Sequence, residues 1–282
     1  MPGGVQPPGL CALGRDAGKP GVRSWVRGDG VKKTKARSAP VPTARDLPSI
    51  WLCGDVHGRF DHLTEAVLQS APSQRPAALV LLGDLQAQRP LEVELAAILE
   101  HTEVWFIPGN HDTDTDEDHD HLFCSALAGR NLHGRVVEIA GVRIAGLGGV
   151  FRGQVWMPPG PHEVESARAY VAHIGRGNRW RDGLPRRHRS TIFPAEYQAL
   201  SRQRADVLVT HEAPSCHPHG FAVLDALGQR LGVRRAFHGH HHDQLDYQAE
   251  WSRLGFEAHG VGLRGITALD GRVIRPGELD GR

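Results

Sequence analysis

Four histidines occupy five consecutive positions of the segment FHGHHHDQ, residues 237–244. Imidazole is the most common metal-ligating side chain in proteins and titrates near neutral pH. The cluster lies well inside the chain, so it is not a terminal purification tag. A metal ion needs ligands from several parts of a fold. The cluster therefore predicts a metal site only if other segments supply further donors.

Further oxygen and nitrogen donors stand where predicted strands end. Apolar runs predict strands over residues 49–55, 77–84, 103–110, 205–211 and 234–240. In open α/β sheets, sites assemble at the carboxyl ends of the strands. The donors at these ends are Asp55, His57, Asp84, Asn110, His211, His240 and His242. Oxygen and imidazole ligands without thiolate suit Mn, Fe or Zn, and seven ligands are too many for one ion. The pattern therefore predicts two metal ions that share a carboxylate.

The order of these blocks resembles the calcineurin-like metallophosphoesterases, whose signature is D-x-H, G-D, G-N-H-[DE], H and G-H-x-H. The chain carries all five blocks in that order, as DVH (55–57), GD (83–84), GNHD (109–112), TH (210–211) and GHHH (239–242). The resemblance spans about residues 50–245, and five ordered blocks are a specific signal. It implies an α/β fold built as a four-layer α/β/β/α sandwich with mixed β-sheets. The hairpins predicted at 135–149 and 265–277 also favour mixed sheets.

The resemblance also implies a role for each donor. It assigns one metal ion to Asp55, His57 and His242, the other to Asn110, His211 and His240, and a bridging position to Asp84. By the same resemblance, His111 stabilises the transition state or protonates the leaving oxygen. Asp112 is then expected to orient the His111 imidazole and to support its charged form.

The expected activity is hydrolysis of a phosphomonoester or phosphodiester by in-line attack of a metal-bridging hydroxide. Two divalent ions, Mn, Fe or Zn, are the expected cofactors, with Mn supporting activity in vitro. The expected substrate is a phosphorylated small molecule, a nucleotide or a nucleic acid.

Two alternatives remain open. The segment GDVHGRF is also similar to the Ser/Thr protein phosphatases and the dinucleoside-polyphosphate hydrolases. Those enzymes continue as G-D-x-x-D-R-G, whereas Ala87 and Gln88 replace the Asp-Arg pair here, so a phosphate-binding arginine is missing from that place. The arginines of residues 176–189 are a hypothetical replacement. The second alternative is a non-catalytic metal-binding scaffold of the same fold, which is disfavoured because every ligand position is filled.

Composition and charge divide the chain. Residues 1–48 carry nine Lys/Arg and three Asp/Glu, a net charge of +6, with many Gly and Pro residues. They predict a disordered basic extension, and residues 49–282 predict the metallophosphoesterase domain with an insertion at about 150–194. No stretch approaches the roughly 20 apolar residues of a membrane span. The four cysteines lack a CxxC pair and indicate free thiols, which favours a cytoplasmic location.

The remaining patterns lead to more local expectations. Helices are predicted over 60–70, 90–101 and 221–232. The acidic run at 112–121 predicts a solvated loop beside the cationic site. His238 and His241, which neighbour the predicted ligands, are expected to face solvent or to lie just outside the ligands. His217 and His219 are expected to face solvent, with contact to the substrate as the alternative.

Overall fold

A computed structural model gives the structure of residues 49–280. The predicted basic extension over residues 1–48 lies outside these described residues. Ten strands form two five-stranded sheets within residues 49–280. In spatial order the first sheet contains β10 (Val273–Arg275), β9 (Ile266–Ala268), β1 (Ile50–Cys53), β2 (Ala78–Leu81) and β3 (Glu103–Phe106). The second contains β4 (Arg135–Ile139), β5 (Val142–Leu147), β6 (Val207–Thr210), β7 (Arg235–His238) and β8 (Glu257–Gly260).

Both sheets are mixed, as predicted. In the first sheet β1, β2 and β3 run parallel, and β9 pairs antiparallel with β1 and with β10. In the second sheet β5 to β8 run parallel, and β4 pairs antiparallel with β5. The β4–β5 and β9–β10 pairs are the two predicted hairpins. The β4–β5 turn uses Ala140 and Gly141, both at positive φ (47° and 80°), as a tight primed turn requires.

Seven α-helices join the strands within residues 49–280. They are α1 (Asp61–Gln69), α2 (Leu91–Glu94), α3 (Asp116–Phe123), α4 (Ala167–His173), α5 (Pro194–Ser201), α6 (Ala222–Leu231) and α7 (Trp251–Leu254). The predicted glycine stop of α6 is confirmed, because Gly232 adopts φ 72° and closes the helix. The helix predicted at 90–101 is regular only over α2, and after it the bonds from Leu95 to Thr102 alternate between i→i−4 and i→i−3.

The predicted four-layer sandwich is confirmed by the alternation of buried side chains along each central strand. On β1, Ile50 and Leu52 pack into the core between the two sheets, whereas Trp51 and Cys53 pack against the helices outside the first sheet. On β6, Val207 and Val209 face the inter-sheet core, and Leu208 faces the helices outside the second sheet. Successive side chains of a strand point to opposite faces, so strands buried on both faces must be apolar throughout.

The prediction of a solvated loop over the acidic run 112–121 is wrong, because much of it is helix α3. Thr115 starts the helix with a capping box. Its hydroxyl accepts from the Asp118 backbone N–H, and the Asp118 carboxylate accepts from the Thr115 N–H. Three acidic residues in the first turn, Asp116 to Asp118, suit the positive end of the helix dipole.

The segment predicted as an insertion, residues 150–194, connects β5 to the region before β6. Its two ends pair: the Val150 N–H donates to the Ser190 carbonyl (3.0 Å), and the Ile192 N–H donates to the Val150 carbonyl (3.0 Å). Val155, Leu184 and Phe193 form a small apolar core of its own. No helix among residues 49–280 has the length and apolar composition needed to cross a bilayer.

Candidate metal centre

The two sheets bring the ends of their parallel strands to one place. Each predicted ligand follows the last residue of a parallel strand by one to four positions. Asp55 and His57 follow β1, Asp84 follows β2, Asn110 follows β3, His211 follows β6, and His240 and His242 follow β7. Parallel strands present their carboxyl ends at the same edge of a sheet, so residues far apart in sequence converge there.

The first group of donors consists of Asp55, His57, Asp84 and His242. One ligand atom from each lies within 4.8 Å of the others. The Nε2 atoms of His57 and His242 are 3.0 Å apart, and His242 Nε2 lies 3.3 Å from Asp55 Oδ2. Two ring nitrogens and two carboxylates aimed at one point form a suitable site for a divalent cation.

The second group shares Asp84 with the first. Ligand atoms of Asp84, His211 and His240 lie within 4.8 Å of one another. His211 Nε2 is 3.4 Å from Asp84 Oδ2 and 3.1 Å from the Asn110 side-chain oxygen. All seven residues predicted as ligands are therefore brought together, in two groups joined by one carboxylate.

The residues present fit a pair of divalent cations. Asp55 Oδ1 is buried and has no hydrogen-bond partner among residues 49–280, so a strong acceptor is left for a cation. A Cβ placed on Gly239 would lie 2.5 Å from that oxygen, and one on Gly109 would collide with Asp84 Oδ1. Glycine at these two positions keeps the space in front of both carboxylates open.

Backbone strain is concentrated at the same place. His57, Asp84, His240 and His242 have φ of 45°, 49°, 71° and 63°, in the left-handed region that residues with a side chain seldom adopt. Each such residue costs on the order of 1–3 kcal/mol, and such residues cluster at functional sites. The tight turns that follow the strands are thus held in conformations that aim the donors inward.

The buried carboxylates lie close enough to affect one another's titration. Burial, together with the charge of Asp84, raises the pKa of Asp55 to about 8. For Asp84 burial acts in the same direction, but the His211 imidazole and the His111 backbone N–H (2.8 Å from Oδ1) hold its pKa below the usual range. Divalent cations would neutralise this accumulated negative charge.

The imidazoles of the β7 turn are suited to metal binding. Burial and the nearby His211 lower the pKa of His240 to about 4, and burial and His57 lower the pKa of His242. Both rings are therefore neutral near pH 7. A neutral imidazole has the free lone pair that a metal ion requires.

The partner predicted for His111 is wrong. His111 Nδ1 lies 2.6 Å from Asp114 Oδ2, and both side chains are about half exposed. Burial of His111 acts to lower its pKa, but the bond to Asp114 and the charge of Asp84 raise it overall. The His111 ring is 5.7 Å from the His57 ring, so it stands at the mouth of the site.

Asp112 points inward, away from His111. Its carboxylate accepts backbone N–H bonds from Leu85 (2.7 Å), Gln86 (2.9 Å) and Gly109 (2.7 Å). Asp112 is fully buried, and burial together with the charge of Asp84 raises its pKa to about 7. It joins the loop after β2 to the loop after β3, which carry Asp84 and Asn110.

Two residues that sequence reasoning missed support the ligands. Gln86 Oε1 lies 2.6 Å from His57 Nδ1 and fixes that ring with Nε2 toward the site. Glu212 Oε2 is 3.8 Å from His240 Nε2, and burial raises the pKa of Glu212 to about 7. Glu212 directly follows His211 in the TH block, and Gln86 occupies the variable position just before Ala87 and Gln88, where the G-D-x-x-D-R-G pattern breaks down. Neither motif assigns a role to these two positions.

The expectation that His217 faces solvent is wrong, whereas His238 lies just outside the ligands, one of the two positions expected for it. His238 is buried, with Nε2 3.1 Å from the Tyr247 hydroxyl. His217 is also buried, and its ring stacks on His241 at 3.8 Å. The rings of His217, His238 and His241 pack together beside the ligands that follow β7.

Two arginines of residues 176–189 form ion pairs with acidic side chains of α3. Arg181 binds both carboxylate oxygens of Asp120 (2.5 and 2.8 Å), and Arg186 pairs with Asp116. His119, Asp120 and Cys124 form a third group of potential metal donors. Its only carboxylate is already held by Arg181, so it is a poor cation site.

Comparison with known proteins agrees with this geometry. Residues 48–244 match the family model of the calcineurin-like phosphoesterases. A Haemophilus influenzae protein described as uncharacterized is 41% identical over 225 residues, which is 80% of this chain and 96% of the relative. The crystal structure of TT1561 of Thermus thermophilus is similar in fold, with a TM-score of 0.50 and 16% identity over 82% of this chain and 99% of that one. The family match and the Haemophilus relative together show that this chain belongs to the calcineurin-like phosphoesterase family.

Proposed function

We propose that this protein is a phosphoesterase that uses two divalent metal ions to hydrolyse a phosphomonoester or a phosphodiester. The observation that carries the proposal is the pair of donor groups joined at Asp84. In this proposal Asp55, His57 and His242 would hold one ion, Asn110, His211 and His240 would hold the other, and Asp84 would serve both. The family binds two divalent metals, and Mn, Fe or Zn suit oxygen and imidazole donors.

Bound cations would polarise the phosphoryl oxygens and lower the pKa of a water molecule in the site. The chain itself supplies proton transfer to the leaving group through His111. Its Nδ1–H donates to Asp114, which leaves Nε2 as the ring nitrogen that can donate to the leaving group. The raised pKa of His111 favours the protonated ring, and Nε2–H then donates to the leaving oxygen. Asp112 acts by holding the loops of Asp84 and Asn110 in register.

We further propose that residues 49–282 form the catalytic domain, with residues 150–194 inserted at the edge of the site. The substrate is a phosphorylated small molecule, a nucleotide or a nucleic acid. A cytoplasmic location is supported by the free thiols of Cys53 and Cys216.

The test is Mn²⁺-dependent hydrolysis of an aryl phosphomonoester and a bis-aryl phosphodiester. We expect turnover of at least one of them, lost on addition of a chelator and reduced on the order of 100-fold or more in Asp84→Asn. His111→Ala should lower kcat about 10²–10⁴-fold, the usual contribution of a positioned acid, with the metal content unchanged.

The control variant is Arg143→Met, which removes an exposed arginine at the start of β5, paired with Asp206 and remote from the ligands. It should match the parent protein in both assays. Retention of two metal ions without turnover of either ester would contradict the proposed activity and favour a scaffold role.

A further inference from the structure

Arg152 lies just beyond the carboxyl end of β5, beside the proposed ligands of the second sheet. The N–H of its neighbour Phe151 donates to Glu212 Oε1 (3.1 Å), and the other Glu212 oxygen is 3.8 Å from His240 Nε2. The backbone next to Arg152 is thus tied to a residue that touches the site.

The guanidinium of Arg152 is fixed by hydroxyl groups. Its Nε donates to Thr191 Oγ1 (3.0 Å) and one terminal nitrogen donates to Ser190 Oγ (3.4 Å). Ser190 Oγ in turn is 2.7 Å from Thr113 Oγ1, two residues after His111. The side chain therefore lies between the insertion and the loop that carries His111, and its other N–H groups make no hydrogen bond within residues 49–280.

The charge of Arg152 is not matched by a neighbouring carboxylate. Within residues 49–280 no carboxylate oxygen lies within 4 Å of Arg152 or of Arg187, whereas Arg181 and Arg186 are paired with α3. Arg152 is half-buried, and burial and the like charge of Arg187 lower its pKa. The carboxylates whose charge acts on it, Asp114, Glu212 and Asp84, surround the proposed centre. A partly desolvated cation without a carboxylate partner favours an anionic ligand.

We propose that Arg152 binds a non-bridging oxygen of the substrate phosphate and makes this site selective for phosphomonoesters. The proposal rests on the proposed function. A phosphodiester has two non-bridging oxygens, both of which the two cations would engage. A monoester has a third, with additional negative charge, and this oxygen remains for a guanidinium. The planar fork of arginine suits phosphate oxygens. Arg152 would thus take the role of the arginine that is missing at Gln88.

The test compares Arg152→Met and Arg152→Lys with the control Arg143→Met, which removes the same charge near the start of β5, away from the proposed centre. Steady-state rates are measured on an aryl phosphomonoester and a bis-aryl phosphodiester with Mn²⁺. Arg152→Met should lower kcat/KM for the monoester about 10- to 100-fold, the size of one charge-assisted contact, and change the diester less than about threefold. Arg152→Lys should restore only part of the loss, because lysine lacks the fork. Arg143→Met should change neither.

Binding of inorganic phosphate and of dimethyl phosphate, followed by calorimetry on the Mn²⁺-loaded protein, separates the two proposals. Weaker phosphate binding in Arg152→Met, with dimethyl phosphate binding unaltered, supports the arginine site even if neither aryl ester is turned over. If Arg152→Met leaves phosphate binding unchanged and alters the turnover of both esters to the same extent, or of neither, the arginine site is overturned and the proposed function stands. Melting temperatures of all variants should agree within a few degrees, which excludes unfolding as the cause.

Discussion

The pairing of His111 with Asp114, and not with Asp112, leads to a prediction about pH dependence. Asp114→Asn removes the carboxylate that lies 2.6 Å from His111 Nδ1 and contributes to raising the pKa of that ring. The pKa of His111 should then fall. If His111 is the acid, its protonated form will be lost at a lower pH, so the alkaline limb of the kcat profile should move to lower pH.

The size of this effect follows from exposure. The His111 and Asp114 side chains are 45% and 52% exposed, so water screens their attraction. Exposed ion pairs contribute about 0.2–1 kcal/mol, which corresponds to no more than about a fivefold change in kcat on the alkaline limb. On the acid side of the limb the variant should approach the parent rate. The difference should shrink in about 1 M salt, where the Debye length is about 3 Å.

The assay is kcat for the better aryl ester from about pH 5.5 to about pH 9.5, a range that brackets the ordinary pKa of histidine, with an NMR titration of the histidine Cε1–H signals in the metal-free protein. Asp112→Asn is the informative comparison, because its carboxylate accepts three backbone N–H bonds and none from His111. It should alter metal binding or folding and move the alkaline limb less than Asp114→Asn does, because the charge of Asp112 contributes less to the raised pKa of His111 than the bond and charge of Asp114. A limb that moves in Asp112→Asn and stays fixed in Asp114→Asn would refute the assignment.

Three further results are expected. Asp84→Asn should reduce the bound metal, measured by plasma mass spectrometry, from two ions per chain to one or fewer, because both donor groups use that carboxylate. Gly239→Ala should weaken Mn²⁺ binding about tenfold or more, because its Cβ would lie 2.5 Å from Asp55 Oδ1, whereas Gly129→Ala, with nothing within 4 Å, should leave binding unaltered. Burial lowers the pKa of His62 from 6.5 to about 4, so only the unfolded chain takes up its proton as the pH falls from 6.5. The free energy of unfolding should therefore fall by about 3 kcal/mol between about pH 6.5 and about pH 4 because of His62. His62→Leu should remove this fall, which is measured by urea unfolding across the same pH range.

Short-range sequence patterns predicted most of the fold. Apolar runs that end in Gly-Asp, Gly-Asn or Gly-His predict buried parallel strands, and the tight turns at Ala140-Gly141 and Asp270-Gly271 predict hairpins. Side-chain alternation makes a strand such as β1 apolar on both faces, and that pattern is visible without coordinates. Helix α3 was missed although its signal, a Thr with Asp three residues later, was present. The acidic run 112–121, much of which lies in this helix, was interpreted as a solvated loop.

The ligand types were equally predictable, because a metal ion restricts which side chains can serve. The directions in which neighbouring side chains point were not predictable from the sequence. Residues 111–113 form a single 3₁₀ turn, in which residues three apart lie on the same side, so Asp114 stands beside His111 while Asp112 turns into the core. A difference of two sequence positions thus separates Asp114, which contacts His111, from Asp112, which binds the backbone of two loops.

The sequence by itself determined the identity and order of the donors, the mixed α/β architecture and the family, because each depends on residue type and short-range periodicity. The tertiary structure alone decided that Gln86 contacts the His57 ring, that Glu212 lies beside His240, and that Arg181 is paired with a carboxylate whereas Arg152 is not. Arg181 meets a carboxylate 61 positions away in sequence, whereas Arg152 meets only hydroxyls. Whether a charge is neutralised depends on what the fold places within about 4 Å of it, and a sequence does not contain that distance.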